Sequence, residues 1–528
     1  MKSYFIFLFL YLSQNFYFSY EHRCGADLIK KKPFIIPENK FKRRLNSEFT
    51  PIKIKIDYTR LKIEVKGNIN YFKERFSNIA MYLSSLLSVQ HINVGLNDDL
   101  VKECTNISEN NVGTWLYEND LVLFPYINEN FDDDILAAAA PCLILNNYRP
   151  VGGFIEINKN VLSNTKRDID AYFDMLLLHE ISHILGFHPS FFEGLDLMSK
   201  ETINGYEYTF INSPKVVEKA RIHFNCPNIK GIQLEDQGGE GSVGSHWEAR
   251  YMLGDYMIST DYSEVVISDI TLAFFEDMGF YKANYYTGGL FRFGKNQGCS
   301  FLEDKCIKSG EINFPNEFCA EPNNPFCGSS HLSRGICNIG RYDEEIDSRY
   351  RYFEDDKIGG YFSSANYCPV SYTSSTEYNY YIYDYNYPAH CKYGKLLYSS
   401  VGEVIGGNSL CFESSLVPST NFITPTLQSV CYEIQCNKFK KEIIIKIDES
   451  KVVCPGERTT LTNIDGFTGS IECPEYNLVC SSEIPCNNMI DCINKKSTSI
   501  RSTYLYLEGN ILGRNDFFIL FLLYLLLI

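Results

Sequence analysis

Of the 19 cysteines in the chain, 14 lie beyond Cys299. That imbalance divides the polypeptide into two textures. Ahead of Cys299, helical and strand-like patterns alternate. Beyond it, cysteine, glycine and tyrosine rise, helical periodicity fades, and short strands separated by turns are expected. Whether the cysteines are thiols or cross-links depends on the compartment, and the first residues bear on that. MKSYFIFLFLYLSQNFYFSY carries one lysine, an apolar stretch from Tyr4 to Leu12, and then polar residues. It reads as a secretory signal with cleavage near Ser19 or Tyr20. In a secreted chain the cysteines form a disulfide framework. Their number is odd, so at least one has no intrachain partner. Cys24 stands alone, inside His22-Arg23-Cys24.

A length of 528 residues exceeds one small core and predicts two or three domains. Lys plus Arg is 49 and Asp plus Glu is 65, a net charge of 49 − 65 = −16. An acidic chain argues against a nucleic-acid partner, which needs a basic face. It fits a soluble, self-repelling extracellular protein.

Along the chain, a basic stretch comes first: Lys30 to Lys32, then Lys40 to Arg44. Arg43-Arg44 is a candidate processing site, and a solvated basic loop is an equal alternative. Ile52, Ile54 and Ile56 alternate with Lys53, Lys55 and Asp57, the pattern of a half-buried strand. Tyr71 to Val89 reads as a helix, and Leu121 to Tyr126 and Gly153 to Ile157 as strands. Mixed in this order, they predict an α/β subdomain. Asn106-Ile107-Ser108 is an N-glycosylation sequon. Between Ser371 and His390, YNYYIYDYNY reads as an exposed variable loop, with a tyrosine-rich binding surface as the alternative. The last twelve residues, Phe517 to Ile528, are almost wholly apolar. They are too few for a membrane helix of about 20 residues and suit a cleaved anchor signal. A short retained hydrophobic helix is the alternative.

The chemistry sits in LLLHEISHILGFHPSFF, Leu176 to Phe192. The run from Asp168 to Leu178 has no Pro or Gly and is rich in apolar residues, so a buried helix is expected there. On a helix, His179 and His183 lie one above the other and can reach one metal ion. Glu180 lies beside them, placed to hold a metal-bound water and take its proton. Gly186 lets the helix stop in a left-handed turn. In the metzincin pattern H-E-x-x-H-x-x-G-x-x-H that turn delivers a third histidine. Here its place is taken by Pro189, and the neighbouring His188 falls one residue early. His188 is then a ligand in a non-standard turn or a bystander, and another candidate must lie downstream.

His246 is that candidate. It ends a glycine-rich loop, Glu235 to His246, flexible enough to approach a metal closely. Met257 follows eleven residues later in Gly254-Asp255-Tyr256-Met257, and metzincins carry a methionine turn beneath their histidines. His22, His91, His223, His331 and His390 have no comparable setting.

At this point the chain resembles the leishmanolysin (major surface protease) family of metzincin zinc metallopeptidases. The resemblance is carried by HEISHILGF followed by PSFFE, by INSPKVVEKARIHFNCPNI, and by LEDQGGEGSVGSHW. DITLAFFEDMGFY, FGKNQGCSFLEDKC and CPEYNLVC extend it, and His22-Arg23-Cys24 looks like the family's pro-segment cysteine motif. It covers roughly Cys24 to Cys492 and is densest from His179 to Cys306. The resemblance implies one zinc ion held by His179, His183 and His246, with Met257 packed beneath them and Glu180 as general base. His188 falls outside that ligand set. Cys24 becomes a candidate cysteine switch, a thiolate that caps the zinc before activation.

The fold expected is an α/β metzincin-type catalytic region followed by a cysteine-rich, mainly β or irregular domain. The implied divisions are 1–20 signal peptide, 21–46 pro-segment, 47–190 N-terminal catalytic subdomain, 191–300 central subdomain, 301–500 cysteine-rich domain and 501–528 anchor signal. The function expected is a zinc endopeptidase acting on protein or peptide substrates at the cell surface, attached to the membrane by a glycolipid anchor. The alternative is a surface adhesin that keeps the protease fold.

Overall fold

The computed structural model describes residues 23–24, 29, 32–36, 41–42, 48–65, 68–94, 102, 104, 119–132, 135–159, 169–237, 239, 241–260, 262, 264–285, 291–372, 391, 401–406, 408–420, 424–447 and 449–480. The signal stretch, Asn106, the YNYYIYDYNY run and the apolar tail lie outside these residues. For Cys24 the backbone is described and the side chain is not.

The first half is built on a six-stranded sheet. Its strands are β1 (Arg23–Cys24), β2 (Phe34–Ile36), β3 (Ile54–Ile56), β4 (Leu121–Asn128), β5 (Ile135–Leu145) and β6 (Pro150–Asn158). The order runs β1 and β2 on β5, then β6, β4 and β3. β3, β4 and β6 are mutually parallel, and β5 runs antiparallel to β6. β1 and β2 pair parallel with the outer edge of β5.

Side chains on a strand alternate between faces, and here the two faces feed different cores. Leu121, Leu123, Ile127, Ala139, Ile155 and Ile157 join one large cluster. Val122, Phe124, Ala140, Cys142, Leu143 and Phe154 join a smaller one on the other side. Strands covered on both faces read as continuous apolar runs, as β5 does with ILAAAAPCLIL.

Two long helices fill the larger side. α1 (Ile69–Leu86) buries Phe72, Phe76, Ile79, Leu83 and Leu86, steps of three and four that make one apolar stripe. Each such side chain contributes about 1.5–3 kcal/mol on burial. α2 (Ile169–Leu185) is buried nearly all round, through Phe173, Leu177, Leu178, Ile181, Ile184 and Leu185. It crosses β6 at Gly153, where an added Cβ would collide with the Ile184 side chain. α3 (Pro189–Gly194) follows, then a hairpin of β7 (Met198–Ile203) and β8 (Tyr206–Ile211), and the helices α4 (Pro214–Phe224) and α5 (Asp269–Asp277).

The change of texture at Cys299 does not coincide with the end of this core. Cys306, Phe314, Phe318, Phe362, Ala365, Cys368 and Val370 pack into the same cluster. A second core belongs to an antiparallel sheet of β9 (Ser409–Ser414), β10 (Gln428–Asn437), β11 (Glu442–Ile447), β12 (Ser450–Cys454), β13 (Thr459–Thr462) and β14 (Ser470–Cys473). The order is β12-β11-β10-β9-β14-β13. In a flat sheet β12 and β14 would lie about 19 Å apart, at about 4.8 Å per strand. Cys454 on β12 is nevertheless bonded to Cys473 on β14 with a Cα–Cα distance of 5.5 Å. The sheet therefore rolls up.

Eight disulfides join described residues: Cys104–Cys142, Cys226–Cys299, Cys306–Cys368, Cys319–Cys337, Cys327–Cys411, Cys391–Cys431, Cys436–Cys480 and Cys454–Cys473. Among the described residues no helix is long and apolar enough to cross a membrane.

Candidate metal centre

α2 carries His179, Glu180 and His183 into the interior, where Glu180 and His183 are fully buried. The helix ends at Gly186, whose φ of 133° no other residue type adopts readily. An added Cβ there would also strike the Met278 side chain. Gly186 N and Phe187 N both donate to Ser182 O, at 3.1 and 3.0 Å, which closes the last turn.

After this turn the chain is extended at His188, and its side chain is spent locally. His188 Nδ1 lies 2.9 Å from Ser190 Oγ and accepts from Ser190 N at 3.3 Å, capping α3. Burial pushes its pKa down to about 4. His188 takes no part in the histidine cluster.

His246 reaches the cluster from the glycine-rich loop. Glu235 N donates to His246 O, and Gly244 N to Glu235 O, both at 2.9 Å. Trp247 N then donates to Met257 O at 2.9 Å, which ties the loop to the Met257 turn. The Trp247 ring packs edge-on against Phe187 at 4.9 Å. The structure thus brings His179, His183 and His246 together.

The orientation of the rings is the informative feature. His179 Nδ1 lies 2.7 Å from Tyr256 O, and His183 Nδ1 lies 2.7 Å from Phe187 O. His246 Nδ1 lies 3.0 Å from Ser242 O. A carbonyl only accepts, so each Nδ1 carries the proton and each Nε2 is a bare lone pair. Those lone pairs face one another. The Nε2 separations are 3.0 Å for His183–His179 and 3.1 Å for His179–His246. Ligands about 2.0–2.1 Å from a tetrahedral zinc lie about 3.3 Å apart, close to this spacing. Burial pushes His179 to about 4 and His246 to about 3, and drives His183 well below the usual range. All three imidazoles are therefore neutral near pH 7, the form that binds metal. Three converging lone pairs with no proton between them repel one another unless a cation sits among them. The donor set fits zinc.

Met257 is fully buried in the turn that follows Tyr256, whose carbonyl lies against His179. Asp255 holds that turn, and sequence reasoning passed over it. Its Oδ1 accepts Met257 N at 2.8 Å. Its Oδ2 accepts Ser268 N at 3.0 Å and Thr271 Oγ1 at 2.7 Å, at the start of α5. Tyr256 was missed as well. Its carbonyl orients His179, and its hydroxyl lies 2.8 Å from Ser182 Oγ on α2. An aspartate two residues before the turn methionine was the available signal, because short acidic side chains cap tight turns.

Residues 83–486 match the family described as leishmanolysin. A leishmanolysin homolog of Crithidia fasciculata is 30% identical over 393 residues, covering 72% of this chain and 58% of that protein. Leishmanolysin of Leishmania donovani is 26% identical, covering 67% of this chain and 60% of the relative. A leishmanolysin-like peptidase of Drosophila melanogaster is 28% identical over 51% of this chain and 44% of its own length. The chain spans about three fifths of the length of the first two relatives. Nothing in these matches supports the adhesin alternative. With the family matched over most of its length, the chain belongs to the leishmanolysin family of peptidases.

Proposed function

We propose that the chain is a zinc-dependent endopeptidase of the metzincin type that hydrolyses extracellular or surface proteins. The observation that carries this reading is the set of three buried, neutral imidazoles whose Nε2 atoms converge while their Nδ1 protons are donated to backbone carbonyls. His179, His183 and His246 hold the metal. When bound, zinc supplies a Lewis acid that polarises the scissile carbonyl and makes water acidic enough to attack near neutral pH. Glu180, one residue after His179 on the same helix, takes the proton from the attacking water and returns it to the leaving amine. Met257 packs beneath the rings and binds nothing.

The proposed pro-segment, 21–46, includes β1 and β2. Cys24 is the thiolate that caps the metal in the newly made chain, and cleavage between Cys24 and Thr50 removes it. The same cut frees the β5 edge that β1 and β2 cover. We place the mature protein at the cell surface, glycosylated at Asn106 and held by a glycolipid anchor that replaces the cleaved 501–528 signal. The test is a peptide library incubated with purified, processed protein, with products read by mass spectrometry. New cleavage products that a zinc chelator abolishes support the reading. Products unaffected by the chelator, or none from fully processed and folded protein, overturn it.

A further inference from the structure

At the two ends of the loop that carries His246, three carboxylates converge. Glu235, Asp236 and Glu248 each place an oxygen within 4.8 Å of the other two. Glu235 and Glu248 are buried, and Asp236 is half-buried. The cluster is bound to the metal centre through the backbone: Glu235 N donates to His246 O at 2.9 Å, and Glu248 follows His246 by two residues.

Both Glu235 oxygens have donors: Oε1 accepts Gln237 N at 2.7 Å and Oε2 accepts Ser259 Oγ at 3.3 Å, while Glu248 Oε1 accepts Arg250 N at 3.0 Å. Asp236 Oδ2 accepts Arg349 Nη1 at 3.1 Å and Tyr350 OH at 2.7 Å. The other oxygens of the last two, Glu248 Oε2 and Asp236 Oδ1, are sealed from solvent and receive no hydrogen bond. The Glu248 and Asp236 carboxyl groups thus lie side by side, with oxygens within 4.8 Å of one another. The Arg250 charge favours ionised Glu248 from a distance, but its side-chain hydrogen bonds go elsewhere. Its guanidinium donates to Phe301 O and Asp304 O, at 3.1 and 3.2 Å, and lies over the Phe318 ring. A carboxylate with no exposure and a bare oxygen aimed at two others is costly unless a cation or a proton lies between them.

We propose that Glu235, Asp236 and Glu248 form a second cation site, for a hard divalent ion of the calcium type. The donors are all oxygens, two on fully buried carboxylates, which selects calcium over the metals that imidazole favours. An ion there joins the two ends of the glycine-rich loop, Glu235–Asp236 and Glu248, and so steadies the segment that presents His246. The site does not depend on the function proposed for the histidines.

The test uses the full folded chain with calcium alone as the probe. Equilibrium dialysis is expected to show one saturable calcium with a Kd at or below about 1 mM, the range of extracellular calcium modules. The melting temperature should rise as calcium is added. Terbium, a luminescent stand-in for calcium, should be sensitised by Tyr350, whose hydroxyl contacts Asp236, and be displaced by calcium. Glu248→Gln and Asp236→Asn should each weaken calcium at least tenfold while zinc content stays at the parent level. If Glu248→Gln fails to fold, Asp236→Asn at its partly exposed position decides together with the unmodified chain. No calcium retained at millimolar concentration would overturn the site and leave a proton shared between Glu248 and Asp236. Calcium held with unchanged affinity in a folded variant would overturn it equally.

Discussion

The region around the histidines and the β9–β14 sheet reach order by different means. The first surrounds α2 with a continuous apolar core that runs from Ile52 to Val370. The second has a far smaller core, and its rolled sheet is closed by Cys454–Cys473, with Cys436–Cys480 beside it. Small cores bury too little surface to offset chain entropy, and cross-links make up the difference by restricting the unfolded chain. The contrast teaches where precision is needed. The three Nε2 atoms are aimed by backbone carbonyls of Tyr256, Phe187 and Ser242, and those carbonyls hold their places because the packing around them admits no slack. A cross-linked sheet needs only to stay closed.

The comparison can be broken at several points. The largest effect should come from Glu180→Gln, which touches neither scaffold. Turnover should fall about 10²–10⁴-fold, the usual contribution of a general base, while zinc and melting temperature stay near parental values. Activity close to the parent's would move the base elsewhere. Next is the packed region. Phe187 is fully buried against Phe192, Trp247 and Phe274. Phe187→Ala should cost about 3–5 kcal/mol in denaturant unfolding and lower zinc affinity with it. A loss under 1 kcal/mol, far below the usual cost of such a truncation, would show that the core does not hold the site.

The cross-linked sheet should respond differently. Cys454 and Cys473 close a loop of 19 residues, and replacing both by serine should cost about 3 kcal/mol. The folded fraction should keep its zinc and its specific activity. Loss of zinc from still-folded protein would mean that the two regions are coupled. The smallest effect concerns acid. Burial holds His188 and His223 near pKa 4, below their value of about 6.5 in the unfolded chain. Their contribution is intact above pH 6.5 and is lost as pH falls towards 4, because the unfolded chain takes up protons that the folded one refuses. A loss of up to about 1.4 kcal/mol per pH unit from each is expected across that window, read from the midpoint of denaturant unfolding. A flat profile would mean that both are solvated.

Much of the site was legible in the sequence because short-range spacing encodes it. His179 and His183 needed only the period of a helix. Gly186 was legible because a left-handed turn favours glycine. His188 was ambiguous for a physical reason: after such a turn, one residue decides whether a side chain faces the metal or caps the next helix. The supports were less visible. Asp255 and Tyr256 act through contacts with Ser182, Ser268 and Thr271, which no local pattern reveals. Of the fold, α1 was expected over Tyr71 to Val89 and occupies Ile69–Leu86, with Leu87–Val89 a strand. β5 went unseen: buried on both faces, it has no alternation, and its alanine run and Pro141 mimic anything but a central strand.

The central claim is that His246, and not His188, completes the metal centre. Zinc content of the purified parent, His246→Ala and His188→Ala proteins tests it directly, with circular dichroism confirming that each is folded. A single zinc ion per chain is predicted for the parent and for His188→Ala, with little or none retained by His246→Ala after dialysis against a weak chelator. Full zinc in His246→Ala, or its loss from His188→Ala alone, would contradict the account.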